Sequence, residues 1–378
     1  MADSILLSAG TVVAADAVYT PGWVEVRAGR IVAVGAGDPP RVADVRYPDG
    51  ILAPGFVDVH NHGGGGFSFN DADTEIAAAG IAATHREHGT TTLMASLVTA
   101  PLDEMERLVA GLADLVDSGL LAGIHLEGPW LSPIHRGAHT AELLRVPDRD
   151  SIDRLMRAGH GTVRMVTIAP ELPGGLDAVR RVVGYGAVAA IGHTDANDDM
   201  TRQAIQAGAT AGTHLFNAMR PLHHREPGPS LALLENPAVF AELIADGVHL
   251  HPAVVRFITQ SPSRPVFVTD AMAAAGADEG EYTLGGLPVS VLDGEARLAD
   301  GTIAGSVLTL SEAVRFAVHT AGVDLATAVR AATQNPADMI GLTDCGRLAV
   351  GQPADLIVLD AGLYVTATMR SGDWRLPA

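Results

Sequence analysis

Two hydrophobic rhythms divide the chain. Up to residue 53, apolar positions alternate with polar ones or fall in short runs: Ile5-Leu6-Leu7, Thr11-Val12-Val13, Trp23-Val24-Glu25-Val26 and Ile31-Val32-Ala33-Val34. A period of two marks a half-buried strand, so this stretch predicts β-structure, with Arg27-Ala28-Gly29-Arg30 as the turn joining the last two strands. From Pro54 the rhythm changes, and short apolar runs alternate with helical stretches at 73–88, 102–116, 198–207 and 311–319. Such alternation implies a parallel sheet in an α/β fold. Sustained over roughly 250–300 residues, it predicts a closed (β/α)8 TIM-like barrel. An open doubly wound sheet is the alternative, but its phosphate-binding fingerprint is missing: Gly63 to Gly66 runs into Phe67-Ser68-Phe69, not into a helix.

After Gly341 the period of two returns in Leu356-Ile357-Val358-Leu359 and Tyr364-Val365-Thr366-Ala367. The simplest topology pairs these with the N-terminal strands. It gives a small β-sandwich domain from residues 1–53 and 344–378 beside a barrel over 54–343. Tyr282 to Ile303 alternates as well and reads as a hairpin inside a barrel loop.

Composition adds boundaries. A chain of 378 residues accommodates one large domain and a smaller one, and with aromatic residues at 4% the core falls to Ala, Val, Leu and Ile. A net charge of -19 argues against a general nucleic-acid or anionic-membrane surface, though a locally basic pocket for an anionic small molecule stays open. The single cysteine, Cys345, rules out an intrachain disulfide and suits a reducing compartment. Met1-Ala2-Asp3-Ser4 lacks the basic start of a signal peptide, and no apolar run is long enough to span a bilayer, so a cytoplasmic location is expected. Lysine is absent from the chain.

The chemistry lies where the apolar runs end. Gly55-Phe56-Val57-Asp58-Val59 leads into His60-Asn61-His62, and Ile124-His125-Leu126 leads into Glu127. Val188 to Gly192 leads into His193, Ala211-Gly212-Thr213 into His214, and Val266-Phe267-Val268-Thr269 into Asp270. Five segments ending alike predict one metal site at one end of the barrel. His60 and His62 are two apart and share a strand face. Glu127, His193 and His214 make a two-His, one-carboxylate set with an open position for water. With no lysine to carboxylate, any oxygen bridging two metals must come from an ordinary carboxylate, and Glu127 is placed for it. Asp270, followed by the small residues Ala271 to Gly276, suits a proton shuttle between such a water and a leaving group. A salt-bridged barrel carboxylate at Glu127 and a helix cap at Asp270 are the plainer readings.

Other polar residues are less specific. His125 shares the face of Glu127 and reads as a supporting residue. Gly63 to Gly66 is either a phosphate cradle or a plain connection. The Pro- and Gly-marked stretch from Asn217 to Gly228 reads as a loop over the pocket mouth, whose Arg225 either grips a phosphate or carboxylate or is simply solvated. His249 follows another apolar run, while His85, His88, His160 and His319 read as bystanders.

These residues resemble the amidohydrolase superfamily, and closely its N-acetylglucosamine-6-phosphate deacetylases. The resemblance rests on 54–63, His125-Leu126-Glu127-Gly128-Pro129-Trp130, Ile191-Gly192-His193-Thr194 and Thr213-His214-Leu215-Phe216-Asn217-Ala218-Met219. It continues through Arg225-Glu226-Pro227-Gly228, Asp246-Gly247-Val248-His249 and Val268-Thr269-Asp270-Ala271. It implies hydrolysis of the acetamide of N-acetyl-D-glucosamine 6-phosphate, with related N-acyl substrates, among them N-acetylgalactosamine 6-phosphate, as the alternative. It also implies a divalent metal held by Glu127, His193 and His214, with a second held through His60 and His62. Zinc is the first choice, and iron, manganese and cobalt are alternatives. Asp270 would be general base and acid. Ala138, His139, Asn217, Ala218, Arg225, His249, Ala304 and Gly305 would contact the amino-sugar phosphate, with Arg225 reaching a neighbouring subunit in a homodimer.

Overall fold

The structure is a computed structural model and describes residues 4–71 and 74–375. Asp73, expected to open a helix, lies outside the described residues, as do 1–3 and 376–378 of the expected terminal domain.

Strand Ile5–Val13 is the hub of the terminal sheet. One edge pairs antiparallel with Gly22–Arg27 and Val18–Tyr19, while the other pairs parallel with Val45–Pro54. Val45–Pro54 then pairs with Leu356–Leu359 from the far end of the chain, followed by Val365–Arg370 and Asp373–Arg375. The two termini therefore meet in one sheet. The pairing runs through eight strands as one mixed sheet. The alternating positions predicted to point inward do so: Leu7, Val24, Val26, Ile31, Leu52, Leu356 and Val358 share one buried cluster. The expected turn holds Ala28 and Gly29 at φ 49° and 72°, the left-handed pair of a tight hairpin.

The middle of the chain forms a parallel sheet. Ala95–Val98, Ile124–Glu127, Val163–Ile168, Val188–Ile191, Ala211–Gly212, Phe240–Leu243 and Arg264–Phe267 pair in that order. Their side chains are buried almost throughout, as strands covered on both faces require. The sheet curls in the manner of a TIM-like barrel, which displaces the doubly wound alternative. Phe56–Asp58 pairs with Thr90–Leu93, and just beyond it the ends meet: the Asp270 N–H donates to His60 O at 2.9 Å and the His62 N–H to Ala271 O at 2.8 Å.

The helices lie close to where the periodicity placed them, at Thr74–Glu87, Leu102–Asp117 and Asp198–Gln206. The fourth, Leu310–Arg315, starts at a capping box between Thr309 and Glu312 and continues as a π-turn over Phe316–Thr320. The 282–303 hairpin is present with a third strand: Gly280–Leu284, Leu287–Leu292 and Glu295–Arg297 form an antiparallel sheet over Val98 and Met272.

Gly192, just after Val188–Ile191, leaves no room for a side chain: a methyl there would sit 2.6 Å from Thr213 Cβ and 2.9 Å from Thr167 Cγ2. Overpacking of this kind costs about 1–3 kcal/mol. Gly192→Ala should therefore lower the thermal midpoint by several degrees and weaken metal retention through the adjacent His193. An unchanged melting curve would show that the neighbouring strands yield freely.

Candidate metal centre

Glu127 is the meeting point. Its Oε1 lies 3.0 Å from His214 Nε2 and 3.2 Å from His193 Nε2, and its Oε2 lies 3.1 Å from His62 Nε2 and 3.4 Å from His139 Nε2. Asp270 Oδ1 stands 3.2 Å from His62 Nε2 and 3.3 Å from His60 Nε2. Two pairs of imidazole nitrogens face each other, His60 with His62 at 3.1 Å and His193 with His214 at 3.2 Å. All seven of these side chains are buried.

Hydrogen bonds behind the rings decide which nitrogen is free. His62 Nδ1 lies 3.1 Å from Ser96 O, and His193 Nδ1 lies 2.9 Å from His135 O. A carbonyl oxygen only accepts, so Nδ1 carries the hydrogen and each neutral ring turns a bare Nε2 to the centre. Bare nitrogens and carboxylate oxygens at these distances repel unless a cation sits among them, so the donor set fits a divalent metal. His139 is wired the other way. Its Nδ1 accepts from the Thr99 N–H at 3.4 Å, with Thr99 Oγ1 at 2.9 Å, which leaves Nε2 as a hydrogen donor facing the cavity. Among the described residues His214 Nδ1 has no partner, so nothing behind that ring selects its tautomer.

The ligands also sit on strained backbone. His193, His214 and Asp270 hold φ of 45°, 28° and 48°, a left-handed region that side-chain-bearing residues rarely enter. Each such residue costs on the order of 1–3 kcal/mol and persists only where surrounding contacts over-determine it. The kink falls two or three residues past each barrel strand, where the chain must turn.

The centre floors a cavity of about 470 Å³. Ala138, His139, Asn217, Ala218, His249 and Gly305 line it, as the sequence reading expected. His249 is held there by Asp246, whose Oδ2 lies 2.6 Å from Nδ1 and whose Oδ1 accepts the His249 N–H. Ala304 is instead buried behind the wall among Val98, Met272 and the hairpin. Arg225 is exposed, with Nη1 2.7 Å from His224 Nε2, and lies outside the lining. His125 lies under His60 at 4.5 Å between ring centroids, in the supporting role expected of it.

Several residues escaped the sequence reading. Arg136 lines the cavity and donates to His139 O at 3.0 Å. Glu242, fully buried, lies 3.1 Å from His60 Nδ1. Asp58, also fully buried, accepts from Thr269 Oγ1 at 2.6 Å and Asn61 Nδ2 at 3.2 Å, tying the His60 segment to the Asp270 segment. The only available signal was a carboxylate inside an apolar run. His85, read as a bystander, is buried in the same network, 2.9 Å from Asn61 Nδ2.

A curled parallel sheet carrying a buried histidine–carboxylate centre at its strand ends is the architecture of a metal-dependent hydrolase. The chain belongs to the amidohydrolase family, which it matches over residues 51–375, and it is a hydrolytic enzyme of that type. An aspartate-to-alanine mutant of N-acetyl-D-glucosamine-6-phosphate deacetylase from Mycobacterium smegmatis, solved with N-acetyl-D-glucosamine-6-phosphate, is 51% identical. It superposes with a TM-score of 0.96 over 98% of this chain and 99% of its own. The N-acetylglucosamine-6-phosphate deacetylase of Bacillus subtilis (strain 168) is 34% identical over 99% of this chain and 97% of its own. The N-acetylgalactosamine-6-phosphate deacetylase of Escherichia coli O157:H7 is 36% identical over 91% and 93%.

Charge at the centre makes stability depend on pH when metal is removed. Burial alone would push His62 down, but hydrogen bonds to Asp270 and Glu127 lift it from 6.5 to about 9. A raised histidine contributes stability fully below its unfolded value and loses it as pH rises through the folded one. Chelator-stripped protein should therefore melt at falling temperature from pH 6.5 to 9. Metal-loaded protein should not, because the cation replaces the proton. Parallel melting series would check this; equal slopes for both forms would contradict it.

Proposed function

We propose that the protein hydrolyses the acetamide of N-acetyl-D-glucosamine 6-phosphate to D-glucosamine 6-phosphate and acetate. One observation carries the reading: an ionised Asp270 and a donor-wired His139 face the same cavity above a buried metal-ligand cluster. The complex of the M. smegmatis relative with that sugar phosphate supports the substrate. A cavity of about 470 Å³ is of ordinary size for a small-molecule site, typically about 300–1,000 Å³.

Glu127, His193 and His214 would hold a primary divalent metal, with His60 and His62 offering a second position. When bound, such a metal supplies positive charge that polarises the carbonyl and acidifies a water. The chain's own residues do the rest. Burial opposes ionisation of Asp270, but in the metal-free site the charges of His60 and His62 hold its carboxyl well below the usual range, so it stands ionised at neutral pH, in the form that can take a proton. Asp270 takes the proton of the attacking water as the new C–O bond forms. It returns that proton to the departing nitrogen as the C–N bond breaks. Burial pushes His139 down to about 4, against the pull of Glu127, so at neutral pH it remains an uncharged donor. Its Nε2–H is the hydrogen bond that strengthens as charge grows on the acetyl oxygen.

The proposal extends to zinc as the metal, to a barrel over 54–343 with a β-sandwich of 1–53 and 344–378, and to a cytoplasmic homodimer. In that homodimer the exposed Arg225 takes the phosphate in the neighbouring subunit's cavity. The relative named for N-acetylgalactosamine 6-phosphate makes the epimeric sugar the second reading.

Acetate release from N-acetylglucosamine 6-phosphate, its epimer and the unphosphorylated sugar tests the assignment, with strong turnover expected only on the first. Equal rates on the phosphorylated and unphosphorylated sugars would sink the phosphosugar reading. Asp270→Asn should lower kcat by about 10²–10⁴-fold with metal retained, and near-normal turnover would remove Asp270 from its role. Arg225→Ala should raise KM for the phosphorylated sugar alone; an unchanged KM would assign the phosphate to another cation.

A further inference from the structure

We propose that Glu242, which no step of the reaction touches, is the positioning residue that makes His60 a metal ligand and so creates the second cation position. This inference rests on the metal reading of the site and not on the identity of the substrate.

Glu242 is an anomaly on its strand. Phe240–Leu243 is buried throughout and otherwise apolar, and the Glu242 side chain has no solvent exposure. Burying a lone carboxylate costs several kcal/mol unless positive charge or hydrogen bonds compensate it. Among the described residues no arginine pairs with it. Its Oε2 faces His60 Nδ1 at 3.1 Å and accepts the His214 N–H at 3.3 Å, while Oε1 has no hydrogen-bond partner. The carboxylate is therefore aimed at one ring nitrogen and at the backbone of a second ligand.

That aim sets the chemistry of the opposite nitrogen. An ionised carboxylate only accepts, so His60 Nδ1 carries the hydrogen and the neutral ring presents a bare Nε2. Facing it are His62 Nε2 at 3.1 Å, Asp270 Oδ1 at 3.3 Å and Glu127 Oε1 at 3.5 Å. His62 is fixed in the same sense by Ser96 O, so its Nε2 is bare too. Two lone pairs and two carboxylate oxygens directed at one point form a cation position. Charge leads to the same place. Four carboxylates, Glu127, Asp270, Glu242 and Asp58, are buried in and behind the centre, more negative charge than one divalent ion at Glu127, His193 and His214 balances. Without Glu242 the His60 ring is free to put its hydrogen on Nε2 and block that point. Carboxylate–histidine pairs of this kind raise metal affinity by about 10–100-fold.

Metal content reads the proposal directly. Wild-type protein stripped with a chelator and reloaded with zinc should bind two ions per chain, measured by elemental analysis and by competition with a chromogenic chelator. Glu242→Gln keeps the shape and removes the charge. It should bind the first ion with unchanged affinity and the second 10–100-fold more weakly. His60→Gln should lose the second ion outright, and adding Glu242→Gln to it should change nothing further, because the two residues act as one unit. A second-ion affinity in Glu242→Gln equal to wild type would overturn the assignment, as would wild-type protein that binds a single ion. Should Glu242→Gln fail to fold, Glu242→Asp carries the test, with a weakened second ion supporting the proposal and an unchanged one refuting it. Acetate release, assayed separately, reports on the substrate reading, so the two can fail independently.

Discussion

Everything at the functional end of this molecule depends on one carboxylate. Glu127 places its two oxygens within 3.0–3.4 Å of four imidazoles, His214, His193, His62 and His139, all buried with it. Those rings come from different segments, and the one carboxylate reaches all four. In water such a group would attract little, but in the closed end of a barrel its field is barely screened and the histidines arrange around it. The division of labour follows from geometry: Oε1 faces His193 and His214, Oε2 faces His62 and His139. A residue that reaches both sides in this way can bridge two cations, which an arginine-only chain without lysine leaves to an ordinary carboxylate.

Holding that arrangement requires structure that opposes local preference. His193, His214 and Asp270 all occupy left-handed backbone, and the parallel sheet has to curl until the His60 and Asp270 segments share hydrogen bonds. Neither is favoured by the residues themselves. Both are secured by burial around them: the strands are covered on two faces, and Asp58 ties the first segment to the last through Thr269 and Asn61. The terminal sheet and the hairpin over 280–297 cover further apolar surface around this unit, the hairpin on the cavity side against Val98 and Met272.

Most of the centre was legible because its ligands stand at the ends of apolar runs, where a polar side chain has to be accounted for. His60, His62, Glu127, His193, His214 and Asp270 all announced themselves in this way, and the structure brings all six together. Glu242 and Asp58 did not, since a carboxylate inside an apolar run reads equally well as a salt-bridged oddity until its partner, distant in sequence, is known. The positive φ values were invisible for a similar reason: glycine advertises a left-handed turn, whereas histidine and aspartate do not. Ala304 lies behind the cavity wall while Gly305 lines it, and a chain of small residues carries no sign of which one faces a cavity. The terminal strands were read correctly; their layering was not legible, since periodicity identifies a buried face without saying whether one curled sheet or two stacked sheets cover it.

The dispersal of the ligands along the chain has a consequence for how the protein persists in a cell. They span residues 60 to 270, so the whole cluster is assembled only when that stretch of the chain is folded. A ligand that binds only the folded state adds stability that grows with its concentration, about 2.7 kcal/mol at a hundred times the dissociation constant. The metal-free form meanwhile keeps His193, His214 and Asp270 on strained backbone with no cation to hold them there. A cation bound at such a cluster would therefore stabilise the fold as a whole, and protease resistance would rise with its occupancy.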